Sequence, residues 1–395
     1  MEQKQIQQER ELGIDALRII SMYMVVNLHV LGMGCVLNKA PYLSVNYELA
    51  WFIEVACFCA VNCFAMISGY VMVKRKARVS RLLETWLQVL LYSVGIYILV
   101  QSSGLILNNE QGKLFDTFFP VLSSQYWYFT GYFLLFLIMP ALNKMMNNLN
   151  RKEHLQLLLA FFITTSILSH ITNFNTGNFG VGNGYSFLWL AIMYLFGGFI
   201  KNHIDVKRVR KSLMLLGYFV CTGINWGLKY VVEHCAEKSI EIGVASDWLI
   251  GYIAPTTVLQ AVFLVLLFAA WQPRNAAVKK VIQFLSPLSF GVYLIHTHPL
   301  VYFNILACRY GYLGQVSWLK MLFNLQRVVL SIFILCIAID YLRKLLFKLL
   351  NVRYLCNAVE IGWNRFVSAA ADKMPAALPE ESKEQESTIK TEALL

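Results

Sequence analysis

The sequence predicts an all-α, polytopic membrane protein of about ten transmembrane helices with both termini in the cytoplasm. Three observations predict it. Of 395 residues, 57% are hydrophobic and 14% charged, against roughly 25% charged in a soluble domain. Apolar runs of about 20 residues, the length that crosses a bilayer as helix, follow one another along nearly the whole chain. The basic residues fall in alternate connections between those runs.

Residues 1–11 form a short cytoplasmic segment. The spans are expected at 14–36, 47–73, 82–106, 126–145, 154–171, 185–200, 211–233, 249–271, 287–307 and 319–342, inside one membrane domain covering 12–350. With the N-terminus inside, the cytoplasmic connections collect Lys74, Arg75, Lys76, Arg78 and Arg81, then Lys144, Arg151 and Lys152. Further along they collect Lys201, Lys207, Arg208, Arg210 and Lys211, then Arg274, Lys279 and Lys280, and finally Arg343, Lys344, Lys348 and Arg353. The outer loops receive Lys39, Lys113, Lys238, Arg309 and Lys320. A miscounted helix would invert this asymmetry downstream. Residues 351–395 read as a cytoplasmic tail, disordered from about 366, because Ala, Glu, Lys, Ser and Pro there lack apolar periodicity.

The formal charge of +11 does not point to nucleic acid, since the cations are spread between apolar runs instead of forming one stripe; membrane lipids are the expected partner. Nine cysteines show no recurrent metal-type spacing, and most lie in apolar runs, where cysteine packs as a small hydrophobe. Cys35, Cys235 and Cys308 fall near outer helix ends; one disulfide there is allowed but not indicated. No cleavable signal peptide is expected, because the first apolar run is long and no small-residue cleavage site clearly follows.

Ionisable groups inside a span cost several kcal/mol unless they face a cavity or a partner. The first span carries Asp15, Arg18 and His29, the second Glu54 beside Asn62, the ninth His296 and His298 near its middle, and the tenth Arg327. Arg18 and His29 are eleven residues apart, within about 20° of a whole number of turns, so they share one helix face about 16 Å apart along the axis. Singly, each has a plain structural use. Arg18 can reach the inner headgroups, His29 can be a packing histidine, Glu54 can sit at the outer interface, and His298 and Arg327 can be structural. Their shared depth on four helices is what favours a site. A second signal is Val61-Asn62-Cys63-Phe64-Ala65-Met66-Ile67-Ser68-Gly69-Tyr70 and the basic residues after it, which suit either inner-leaflet phospholipid or a phosphorylated ligand. Trp127 and Tyr128 open the fourth span, as an aromatic belt or a sugar platform.

These blocks resemble a known family. Ile14-Asp15-Ala16-Leu17-Arg18, a ten-residue gap and His29 is similar to the first-helix signature of the acyltransferase-3 group of integral-membrane acyltransferases, of polysaccharide O-acetyltransferase type. Residues 61–70, Trp127-Tyr128-Phe129 and Phe290-Gly291-Val292-Tyr293-Leu294-Ile295-His296 look like further family blocks, in family order over about residues 12–345. The chain departs from the pattern at Arg81-Leu82-Leu83-Glu84-Thr85-Trp86, where many members have a proline, which weakens the ligand role of the preceding basic loop. No fused outer domain is expected.

The resemblance implies acyl transfer from cytoplasmic acyl-CoA, with acetyl-CoA as donor and no metal, to a hydroxyl of a cell-surface or lipid-linked glycan. Arg18, Ser68, Arg75 and Arg78 are then expected at the donor, and His29 as general base or acyl carrier with Glu54 orienting it. Trp127, Tyr128, His296 and Arg327 are expected at the glycan or the oxyanion. The setting would be a bacterial plasma membrane, with the oligomeric state unassigned. A secondary transporter or polysaccharide flippase would use the same charges for coupling, but explains the Ser-Gly block and the Arg–His pairing less well.

Overall fold

Helix underlies each of the ten apolar runs in a computed structural model of the chain, which describes residues 11–104, 114–171 and 177–373. In order the helices are α1 (Leu12–Leu31), α2 (Val36–Lys39), α3 (Val45–Cys57), α4 (Ala60–Met72), α5 (Val79–Ser103), α6 (Leu114–Phe118), α7 (Trp127–Asn148) and α8 (Arg151–Phe161). They continue as α9 (Ser169–Ile171), α10 (Phe187–His203), α11 (Lys211–Glu237), α12 (Pro255–Ala269), α13 (Ala276–Leu285), α14 (Ser289–His296), α15 (Pro299–Val301), α16 (Trp318–Leu349) and α17 (Val352–Asp372). No strand occurs among the described residues. Seven helical segments there are long and apolar enough to cross a membrane: Leu12–Lys39, Val45–Met72, Val79–Ser103, Trp127–Asn148, Arg151–Ile171, Ala276–His296 and Trp318–Leu349. The chain is an all-α polytopic membrane protein. The other three expected spans correspond to α10, α11 and α12.

The boundaries depart from expectation where the backbone breaks. The second span is two helices, interrupted at Phe58 and Cys59. The eighth begins at Pro255, which occupies the first helical position, where its missing N–H costs nothing. The expected ninth span at 287–307 lies differently: helix runs from 276, passes through a 3₁₀ turn at Ser286–Leu288, and ends at His296. His298 is therefore not inside a helix; it accepts from Leu300 N at 3.2 Å and caps α15. The tail is also corrected. Residues 366–372 continue α17 instead of being disordered, while 374–395 lie outside the described residues, as do Lys113 and residues 1–10 of the expected N-terminal segment.

α1 is the axis. It packs against α3, α4, α12, α13, α14 and α16, and its side chains enter both large apolar clusters, Ile14 and Leu17 one, Val26, Val30 and Leu31 the other. Outward faces are apolar as lipid requires: on α16, Leu330, Ile334, Leu335 and Leu342 are exposed. α4 and α10 approach so closely that a Cβ on Gly69 would lie 1.9 Å from Tyr194 O, and one on Gly197 1.9 Å from Met66 O. A disulfide joins Cys35 to Cys308, 273 residues on, and Cys308 N and Tyr310 N donate to Met33 O and Gly34 O at 2.8 and 3.1 Å. That end of the bundle is called here the disulfide end, and the end carrying residues 74–81 the basic end.

α17 docks at the basic end. Val352 and Cys356 pack with Phe347 against Leu83, Leu87 and Leu91 of α5. Glu360 accepts from Ser80 Oγ at 2.6 Å and from Arg78 at 3.2 Å. Burial works against the Glu360 anion, but these bonds outweigh it and hold its carboxyl below the usual range. Their contribution is therefore full above the usual carboxylate range and is lost as the pH falls from that range through the lower folded value.

Gly197→Ala is expected to lower thermal stability in detergent by about 1–3 kcal/mol, because the new methyl meets rigid backbone. Gly223→Ala on α11, where a Cβ meets nothing within 4 Å, is expected to leave the melting temperature unchanged or slightly raised. Equal melting temperatures for wild type and Gly197→Ala would contradict the close packing.

Candidate functional site

Two cavities run up the face of α1 that carries Arg18 and His29. The first, of about 510 Å³, opens at the basic end and is lined by Lys74 and Arg75 from the α4–α5 connection, Arg81 in the first turn of α5, Lys201 of α10, and Arg18. The second, of about 340 Å³, lies deeper and is lined by His29, Trp127, Tyr128, Tyr252, Tyr293 and Gln88. Arg18, Ser68, Thr85 and Tyr132 line both, so the cavities adjoin at one four-residue neck with the arginine in its wall. Together they form a passage from the basic end to His29.

The basic mouth is fixed by α7. Asn143 Nδ2 donates to Met72 O at 2.9 Å and to Arg75 O at 3.3 Å, and Asn147 Nδ2 to Val73 O at 2.9 Å. Asn143 is itself oriented by the Tyr194 hydroxyl at 2.7 Å. Lys201 pairs with Glu11. At the neck, Arg18 donates to Asp15 Oδ1 at 2.8 Å and to Ser286 Oγ at 3.2 Å, and Ser286 also donates to Asp15. The guanidinium keeps side-chain exposure of 30%. It is neutralised from the side and stays available to an anion in the passage.

His29 sits at the head. Its Nδ1 lies 2.8 Å from Nε2 of His296, and His296 Nδ1 lies 2.5 Å from Val292 O. A carbonyl can only accept, so His296 carries a proton on Nδ1, and as a neutral imidazole it presents a bare Nε2. His29 must then donate from Nδ1, which leaves its own Nε2 with a free lone pair. No described residue bonds to that nitrogen. Tyr302 packs edge-on against the His29 ring at 5.1 Å between centroids. Towards the disulfide end, Trp127, Tyr185 and Tyr252 form a ring cluster, with centroids 4.7 Å (Trp127–Tyr185) and 4.9 Å (Tyr185–Tyr252) apart.

The structure brings together His29, Arg18, Ser68, Arg75, Trp127, Tyr128 and His296. His296 bonds to His29 instead of facing a substrate. It separates the rest. Arg78 is absent from the passage walls; it bonds to Glu360 and to Asn357 of α17 at 3.2 Å. Arg327 is exposed on α16 and lines neither cavity. Glu54 is buried within electrostatic reach of Tyr252 and Tyr302, but the partner that orients His29 is His296, and no described residue hydrogen-bonds to Glu54 Oε2. Asn62 is a packing link, donating to Tyr252 O and accepting from Trp189, both at 2.8 Å.

Sequence reasoning missed Thr85, Gln88, Tyr132 and Tyr252 on the passage wall. It also missed Lys229 paired with Glu233 inside the seventh expected span, and Asp340 near the end of the tenth, paired with Arg343 just beyond it. The rule that a charge in a span has a partner would have flagged Asp340, Lys229 and Glu233. Among the described residues no group of three His, Cys, Asp or Glu side chains is placed to hold a metal ion.

Residues 11–343 match the family model described as an acyltransferase domain, that of the acyltransferase-3 family. No curated protein and no solved structure matches the chain significantly.

The passage mouth and the disulfide are expected to face opposite sides of the membrane. In a Cys235→Ser background, a cysteine at position 75 should react with an impermeant maleimide only in inverted vesicles, and one at position 42 only in right-side-out vesicles. Reaction of both from one side would contradict this arrangement.

Proposed function

The chain belongs to the acyltransferase-3 family, and from that premise we propose that it moves an acyl group, acetyl being the simplest, from cytoplasmic acyl-CoA to a glycan hydroxyl presented from the other side of the membrane. The observation that carries the reading is the pair of adjoining cavities, the outer one with a mouth of four cations and the inner one lined by His29. A CoA thioester has a polyanionic nucleotide and a thin arm. Lys74, Arg75, Arg81 and Lys201 suit its phosphates, and the arm is of the same order of length as the Arg18–His29 separation of about 16 Å.

In this scheme His29 is the general base. Its Nε2 takes the proton of the acceptor hydroxyl as that oxygen attacks the thioester carbonyl. The tetrahedral intermediate collapses with cleavage of the C–S bond, and the proton on His29 passes to the leaving thiolate, giving an ester and free CoA. His296 keeps the imidazole in the productive tautomer and stabilises the positive charge that His29 acquires, a role like that of the third member of a nucleophile–base–orienter set. Tyr128, Tyr252 and Tyr293 line the same cavity, and a phenol there would serve as a donor to a developing oxyanion. The Trp127–Tyr185–Tyr252 cluster offers ring faces on which a sugar can stack.

The test is release of CoA from acetyl-CoA by purified protein in nanodiscs. Wild type is expected to release CoA, and His29→Ala to bind acetyl-CoA normally while turning over about 10²–10⁴-fold more slowly. Arg75→Ala should weaken acetyl-CoA binding and Arg78→Ala should not, since Arg78 holds α17. Absence of binding of any acyl-CoA by wild type, or full turnover by His29→Ala, would overturn the reading.

A further inference from the structure

A glutamine in the passage wall is locked in one orientation by a fully buried carboxylate. Asp340 of α16 is 0% exposed. Its Oδ1 accepts from Tyr92 Oη at 2.7 Å, Gln88 Nε2 at 2.9 Å and Arg343 Nε at 3.0 Å, and its Oδ2 from Arg343 Nη2 at 2.6 Å. Each of these bonds is donated to Asp340, two of them by one guanidinium, so the carboxylate acts as an acceptor. The Gln88 amide therefore cannot flip: its NH₂ faces Asp340 and its carbonyl oxygen faces away. Gln88 lines the inner cavity, and Thr85, one turn earlier on α5, lines the neck. No described residue donates to the Gln88 carbonyl oxygen. Gly291 of α14 makes room for this network, since a Cβ there would lie 2.2–2.5 Å from the Asp340 carboxylate.

A fixed acceptor between Arg18 and His29, with apolar and aromatic groups around it, suits a neutral N–H donor and repels an anion. We propose that Gln88 is an amide-reading subsite: its carbonyl oxygen accepts the N–H of one of the two amides in the arm of the thioester donor, and Asp340 is the positioning residue that holds it so. This rests on the donor reading above and goes beyond it, because it assigns recognition to the arm as well as to the phosphates. A site built to bond a donor rejects an analogue lacking it far more strongly than an apolar wall does.

The experiment compares acetyl-CoA with two analogues in which one arm amide N–H, then the other, is replaced by CH₂. Affinity is measured for wild type, Gln88→Leu and Asp340→Asn in nanodiscs, with thermal melts to confirm folding. Wild type is expected to bind one analogue about tenfold or more weakly than acetyl-CoA. Gln88→Leu should bind acetyl-CoA at that weakened level and no longer distinguish the analogue. Folded Asp340→Asn, which frees the amide to turn, should lose part of the discrimination. If wild type binds all three compounds equally, or if Gln88→Leu still discriminates, the subsite is wrong while the acyltransferase reading stands. If wild type binds none of them, the donor reading itself fails and this proposal falls with it.

Discussion

α1 carries an arginine and a histidine into the apolar interior on one face, and lipid can satisfy neither. That constraint organises the rest of the bundle. Each group has to meet protein, and both meet the same partner segment. Arg18 reaches Ser286 and His29 reaches His296. The two positions on α1 are eleven residues apart and their partners ten, so two helical segments running in the same direction are cross-linked at two levels about 15–16 Å apart. The 3₁₀ turn at Ser286–Leu288 and the end of α14 at His296 carry the two partners. Moving that segment would take His296 away from the buried His29 imidazole and Ser286 away from the Arg18–Asp15 pair.

Because α1 is covered on one side by α14 and α16 and on another by α3, α4 and α12, the remaining face is free to line a cavity. The wall opposite comes from α4, α5 and α7, which supply Ser68, Thr85, Gln88 and Tyr132. Close contact between α4 and α10 through Gly69 and Gly197 brings Lys201 to the mouth. The charge gradient along the passage follows from this. Cations crowd the mouth, one arginine stands at the neck, and imidazole and phenols occupy the head. A polyanion is drawn to one end and a neutral reacting group to the other. At the far end the Cys35–Cys308 link ties the turn after α1 to the segment following Tyr302, which packs on His29.

Much of this was legible in the sequence. The 3.6-residue period fixes Arg18 and His29 on one face whatever surrounds them, and a spanning run must be helix because lipid offers the backbone no partner. Ser68, Gly69 and Arg75 follow from the same block. Other assignments turned on information that a period does not hold. Arg75 and Arg78 are three residues apart in a connection, where direction depends on what packs nearby, and α17 takes Arg78. Arg327 lies on α16, whose outward face cannot be told from its inward one without knowing the neighbours. Glu54 has suitable depth but lies on α3, on the far side of the break at Phe58 from the passage-lining α4. Gln88 is neutral, so a search for charges passes over it until Asp340 is placed beside it. The disulfide joins residues 273 apart with no spacing signal.

The most direct test of the central claim is a cryo-EM structure in nanodiscs with a non-hydrolysable thioether analogue of acetyl-CoA. The account predicts the nucleotide phosphates among Lys74, Arg75, Arg81 and Lys201, the arm passing Arg18 and Gln88, and the acetyl-equivalent carbon beside Nε2 of His29. Density for the ligand at the disulfide end, or a nucleotide held away from that mouth with the reacting carbon remote from His29, would contradict it.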